Sequence, residues 1–170
     1  NSIDEAVDRL ENNDFPAGIN AVIFLLHKPA GQGSQTNVLD FNDPRVARFF
    51  AQVDKWHPFK VGMDSCNVPG AINFCKCILP ESLDTCEGGR YSCYIDADMI
   101  MVPCSFDQHK RYEVQLSEKT TIEDAWYSEP FERFRGKMRA ACPACGKKAL
   151  CMGGCPLMPE IVFCNSSERK

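Results

Sequence analysis

Apolar positions at Ile3, Ala6, Val7 and Leu10 recur at the spacing of one helix face. Ser2-Ile3-Asp4-Glu5 before them reads as a capping box, in which the Ser2 hydroxyl accepts from a free backbone N–H and Glu5 reaches back. Asn12 and Asn13 end that helix. Ala21 to Leu26 is a continuous apolar run with β-branched residues, the pattern of a strand buried on both faces in a parallel sheet. Pro29, Gly31 and Gly33 mark the loop after it. Asp43 precedes Pro44, which predicts a capped second helix with proline in its first turn. Val46, Ala47, Phe49, Phe50 and Val53 supply the buried stripe of that helix, and Phe59 to Met63 predicts a second short strand. Helix, strand, helix and strand in about 65 residues is the alternation of βα units.

The pattern changes beyond residue 65. Residues 66–90 read as irregular, punctuated by Pro69, Gly70, Pro80, Gly88 and Gly89. Tyr91 to Asp96 and Ile100 to Val102 predict a short hairpin around Ala97-Asp98. Thr121 caps a helical turn over 122–127. Ser128 caps a further helix running to Ala140, with Phe131, Phe134 and Met138 on one face. A cysteine-dense segment over 142–164 and a polar tail over 165–170 complete the chain.

Composition alters this picture at one point. The chain has 170 residues, 44% of them hydrophobic, and a net charge of −4, so there is no basic stripe for nucleic acid. Its longest apolar run is far too short for a membrane span, and no secretory signal opens it, which makes the cytoplasm the expected compartment. The unusual number is eleven cysteines, an odd count, all from Cys66 onward. In a reducing compartment clustered cysteines more often bind metal than form disulfides. Cys142-x2-Cys145, five residues, Cys151-x3-Cys155, eight residues, then Cys164 is the informative stretch. A Cys-x2-Cys turn presents two thiolates to one centre. Gly153 and Gly154 allow close backbone approach, and Cys155-Pro156 is similar to a ferredoxin run whose last cysteine serves a different cluster from its neighbours. Five cysteines exceed one tetrahedral site by one, which points to a second centre with distant partners. Cys86 and Cys104, on either side of the hairpin, are available. From spacing alone, two structural zinc ions remain an alternative to iron–sulfur clusters.

With Cys86, seventeen residues, Cys104, then Cys142-x2-Cys145-x5-Cys151-x3-Cys155 and Cys164, the chain resembles the SPASM domain, the twin-cluster extension of many radical S-adenosylmethionine (SAM) enzymes. Met99 stands where that family has glycine. Tyr94-Ile95-Asp96-Ala97-Asp98, Pro103-Cys104-Ser105 and Thr121-Ile-Glu-Asp-Ala-Trp126 are similar as well. Ala21 to Leu26 with His27-Lys28-Pro29, and Lys60 to Cys66, resemble late strands of the partial (β/α)6 barrel of such enzymes. His27, Lys28 and Asp64 would then lie near substrate, or be exposed loop residues with no chemical task.

The resemblance implies an α+β chain: a barrel remnant over 1–65, a SPASM-like module with a short hairpin and helices over 66–164, and the tail. It also implies two [4Fe–4S] clusters. One would take Cys142, Cys145, Cys151 and Cys164. The other would take Cys86, Cys104 and Cys155 with a fourth ligand, for which Cys93 is preferred, Cys75 and Cys77 are rivals, and an open position is the remaining option. Cys66 and the unused cysteines are expected to be plain buried thiols. Protein purified in air could lose the clusters and hold zinc. The implied partner is a peptide or protein substrate, and the implied role is electron transfer and substrate docking. SAM itself would bind only in a complete parent enzyme. No Cys-x3-Cys-x2-Cys occurs here, so the chain is expected to be a piece or remnant of that enzyme, unable to cleave SAM alone.

Overall fold

A computed structural model describes residues 2–140, 142 and 145–164. The expected tail over 165–170 lies outside the described residues, as do Pro143 and Ala144 between two of the cysteines. The chain mixes helix and strand throughout.

The N-terminal elements follow their local signals. Helix α1 spans Ile3–Asn12, its Ser2 hydroxyl accepting from Glu5 N at 3.3 Å. Glu5 pairs with Arg9 one turn on, at 3.0 Å. Asn13 ends the helix in the left-handed region at φ 51° and donates its N–H to the last carbonyls. Helix α2, Pro44–Val53, starts on Asp43, whose carboxylate accepts from Arg45 N at 2.9 Å. Strands β1 (Ala21–Phe24) and β2 (Lys60–Met63) are parallel, pairing Ala21 with Lys60 and Phe24 with Met63. With α2 crossing between them they form one βαβ unit. The core here joins Val7, Leu10, Val46, Phe49, Phe50, Val53, Ala71 and Phe163. Phe50 is fully buried, edge-on to Phe49 and stacked on Phe74. Truncating such a ring costs about 3–5 kcal/mol.

Three expectations need correction in this half. Glu5 does not reach back to Ser2 but pairs with Arg9, so the α1 cap is the Ser2 hydroxyl alone. The apolar run 21–26 is not buried on both faces: the strand stops at Phe24, and Ile23 and Leu25 are 60% and 74% exposed. Among the described residues β1 pairs on one edge only, so its outward side chains meet solvent. Residues 66–90 are not wholly irregular, because helix α3 spans Val68–Phe74. Pro69 sits in its first turn, where a missing N–H costs nothing. Gly70 faces the core so tightly that an added Cβ would lie 2.2 Å from the Phe50 ring.

The C-terminal half has shorter elements. Strands β3 (Tyr94–Ile95) and β4 (Ile100–Val102) form the expected hairpin, and β5 (Val114–Gln115) adds a third antiparallel strand, with Met101 opposite both Ile95 and Val114. Helix α4 (Ile122–Trp126) opens on a complete capping box between Thr121 and Asp124. Helix α5 (Glu129–Ala140) buries Phe131, Phe134 and Met138 as its spacing predicted, and α6 (Lys148–Cys151) is a single turn. Met101, Leu116, Ala125 and Phe131 form one small core. Tyr112, Phe134, Met138, Met152, Leu157, Met158 and Ile161 form another.

The hairpin turn is fixed by Asp96. Its Oδ1 accepts from Asp98 N and Ile100 N, each at 2.9 Å, and its Oδ2 accepts from Lys110 Nζ at 2.9 Å. Met99 closes the turn at φ 60°, a conformation that costs a residue with a Cβ about 1–2 kcal/mol. Met99 is 54% exposed, so little burial opposes its removal. Met99→Gly is therefore expected to stabilise the chain by about 0.5–1 kcal/mol, a rise of roughly 2–4 °C in Tm by calorimetry. Met99→Ala, which keeps the Cβ, should give no such gain.

Candidate iron–sulfur site

Separated stretches bring thiols to one cavity. Cys66 arrives on the turn between β2 and α3, Cys86 before the hairpin, Cys104 directly after β4, Cys151 at the end of α6 and Cys155 just beyond it. All five line a cavity closed by Pro69, Phe106, Phe134, Leu157, Met158 and Ile161, and all five carry free thiols. They are close enough to act on one another electrostatically: Cys104 on Cys86, Cys155 on Cys104, Cys86 on Cys155, and both Cys155 and Cys86 on Cys66. Burial is the main cause that raises each thiol above its ordinary pKa, and Cys66 is pushed up to about 12.

Backbone N–H groups oppose that shift. Gly88 donates to the Cys86 sulfur, Phe106 to Cys104, and Met158 and Leu157 to Cys155. Such N–H···S bonds favour the thiolate, the form that binds iron. Gly88 is hemmed in by this arrangement: a Cβ there would stand 3.0 Å from Pro103 O, 3.4 Å from Cys104 Cβ and 3.7 Å from Cys86 Sγ.

Side chains tie these loops to regular elements. Arg90 donates to Cys86 O at 3.1 Å. Arg135 on α5 donates to Gly89 O at 2.6 Å and to Trp126 O at 2.7 Å. Arg111 reaches Leu157 O at 2.7 Å, holding the Cys155 turn against the loop before β5. That loop is braced by Asp107, whose buried carboxylate accepts from Arg111 N and Tyr112 N at 3.2 and 2.9 Å.

A second thiol group forms along the cysteine-dense segment. Cys151 lies near enough to Cys164 and Cys142 to be raised by both, after the larger effect of its own burial. Gly153 and Gly154 N–H groups donate to the Cys151 sulfur. Cys142 is buried, and Cys145 starts the turn into α6, its carbonyl accepting from Lys148 N at 3.2 Å. The segment is pinned to α3: Asn73 donates to Phe163 O at 2.9 Å and accepts from Lys147 Nζ at 2.9 Å. Gly154, at φ 80°, lets the chain turn between Cys151 and Cys155 while pressed on Val162.

The sequence-predicted residues divide accordingly. Cys86, Cys104 and Cys155 meet at the first cavity, and Cys142, Cys151 and Cys164 form the second group. Cys93 is exposed and absent from the cavity lining, whereas Cys66, expected to be a plain thiol, lines it. Cys75 donates to Phe50 O at 3.6 Å, and Cys77 is exposed. Lys28 and Asp64 form an ion pair with side chains only 10% and 18% exposed. His27 donates from Nε2 to Ser34 O at 2.9 Å. His57 stacks on Phe59 with both ring nitrogens engaged, by Gln52 O and Asn13 Oδ1, a packing role.

This donor set fits an iron–sulfur cluster. The thiols are soft donors spread around an apolar cavity. Among the described residues no three His, Cys, Asp or Glu side chains converge as on one metal ion. In the adjoining core Tyr112 Oη is buried with no hydrogen-bond partner among the described residues. Residues 86–151 match the family model of the SPASM iron–sulfur cluster-binding domain. That match implies iron–sulfur cluster binding by this part of the chain. No curated protein and no solved structure matches the chain. No helix among the described residues is long and apolar enough to cross a membrane.

At Gly154 an added Cβ would stand 2.5 and 2.6 Å from the Val162 methyls, in a left-handed backbone besides. Gly154→Ala is expected to cost about 1–3 kcal/mol in thermal or denaturant unfolding. Gly146→Ala, whose Cβ would meet no atom within 4 Å, should leave the midpoint unchanged.

Proposed function

We propose that this chain binds two auxiliary [4Fe–4S] clusters and serves as the electron-transfer and substrate-docking module of a radical SAM enzyme that modifies peptides or proteins. The observation that carries this reading is the gathering of Cys66, Cys86, Cys104 and Cys155 round one cavity, on whose wall Cys151 also stands, with Cys142 and Cys164 near Cys151. Cys66 is proposed as the fourth ligand of the first cluster in place of Cys93, and Cys145 completes the second with Cys142, Cys151 and Cys164. Once bound, such clusters accept and release single electrons. The protein contributes thiolates, amide donors to sulfur, and an apolar wall that excludes water. The parallel β1–α2–β2 unit supports a barrel origin for the N-terminal part. Its unpaired edge at β1, with Ile23 and Leu25 facing solvent, suits continuation of the sheet by further strands. An open cleft of about 1140 Å³ lies along that edge, reaching from α1 and α2 to His27 and Asn37. It offers room for such strands.

Anaerobic reconstitution with iron and sulfide is expected to give a brown protein absorbing near 400 nm, with about eight iron atoms per chain. Cys66→Ser should lose about half of the iron, as should Cys142→Ser, while Cys93→Ser should retain it all. A colourless anaerobic protein with stoichiometric zinc would overturn the reading in favour of a structural zinc domain. Full iron in Cys66→Ser with loss in Cys93→Ser would restore Cys93 as ligand.

A further inference from the structure

Lys28 follows β1, yet its ammonium is turned inward to the wall of the first thiol cavity, lined also by Cys66, Cys86, Cys104, Cys151 and Cys155. It donates to Asp64 Oδ2 and to Leu26 O at 3.2 Å, and it acts electrostatically on the Cys66 thiol beside it. The same ammonium lies 4.9 Å from the centre of the Phe106 ring, two residues beyond Cys104, and acts electrostatically on the Cys104 thiol. Asp64 is equally constrained, its Oδ1 accepting from Leu26 N at 3.3 Å and Asn67 Nδ2 at 2.8 Å. Buried cations are rare unless they are paired, and pairing alone does not require that the cation face a group of thiols.

We infer that Lys28 is a positioning and charge-setting residue for the first cluster, its ammonium stabilising the more negative, reduced state, with Asp64 moderating that charge. The inference rests on the cluster reading above. A fixed positive charge beside a cluster favours the added electron, so removing it lowers the reduction potential. Removing Asp64 instead leaves Lys28 uncompensated and raises it. The two members of one ion pair therefore have opposite effects, which a purely structural pair would not produce.

The test uses the reconstituted full chain in four forms: unaltered, Lys28→Gln, Lys28→Arg and Asp64→Asn. Iron and sulfide are measured first, and then the midpoint potentials of both clusters by electron paramagnetic resonance titration. The first cluster should shift negative in Lys28→Gln, stay near its original value in Lys28→Arg, and shift positive in Asp64→Asn, while the second cluster holds still. Equal potentials in all four forms, or shifts of one sign in Lys28→Gln and Asp64→Asn, would overturn the inference. If Lys28→Gln does not fold, the sign of the Asp64→Asn shift still decides. Absence of iron from the unaltered chain would overturn the cluster reading itself, a failure distinguishable from unmoved potentials in a loaded protein.

Discussion

Four sulfurs buried together are costly to hold as anions, and most of the architecture around them offsets that cost. Burial drives each thiol toward its neutral form, and neighbouring thiolates push the same way. Against this the chain sets amide N–H groups from Gly88, Phe106, Leu157 and Met158 and one buried ammonium. A loop can aim its N–H groups at a sulfur only where its own backbone is not committed to helix or sheet. This is why these cysteines sit on turns, and why regular structure between 66 and 164, α5 apart, is confined to short strands and helices. The small cores there, one centred on Met101 and Phe131 and one on Tyr112 and Phe134, flank the cavity and do not fill it. Bound metal would supply the cross-links that a larger apolar core would otherwise provide.

The loops are consequently held by side chains reaching to backbone carbonyls. Arg90, Arg111 and Arg135 each clamp a carbonyl of a cysteine-bearing turn or its neighbour. The guanidinium suits this role because it stays charged and presents several donors in a fixed fork. Asn73 and Lys147 perform the same task between α3 and the last cysteines. The N-terminal half has no such need. Its βαβ unit packs through Phe49, Phe50 and Phe74, and its surface ion pairs, such as Arg48 with Glu11, add little.

What the sequence disclosed was what local chemistry decides. The caps of α1, α2 and α4, the stripe of α5 and the hairpin at Asp96 all arise from residues within a few positions of one another. The failures were non-local. A continuous apolar run cannot distinguish a strand covered on both faces from an edge strand, so β1 was misread. Helix α3 was hidden by Pro69 and Gly70, which look like loop residues until Phe50 is seen against Gly70. Strand β5 is two residues long and owes its existence to Met101 across the sheet. Cys66 belongs to no recognisable spacing, since its partners lie 20, 38 and 89 positions away. The usable signal was its place just past β2, at the C-terminal end of a parallel strand. Lys28 carried the same signal after β1.

That shared placement joins the two halves physically. Cys66, Lys28 and Asp64 belong to the βαβ unit, and Cys86, Cys104 and Cys155 to the loops beyond it. The first cavity is therefore a seam, and any shift of β1 against β2 would move an ammonium and a thiol relative to three other sulfurs. Cys142, Cys145, Cys151 and Cys164 lie within 23 residues, and their segment is tied to α3 through Asn73 and Lys147. Cys151 also lines the first cavity, so this segment meets the same seam. The charge environment of that cavity therefore follows whatever the strand unit does.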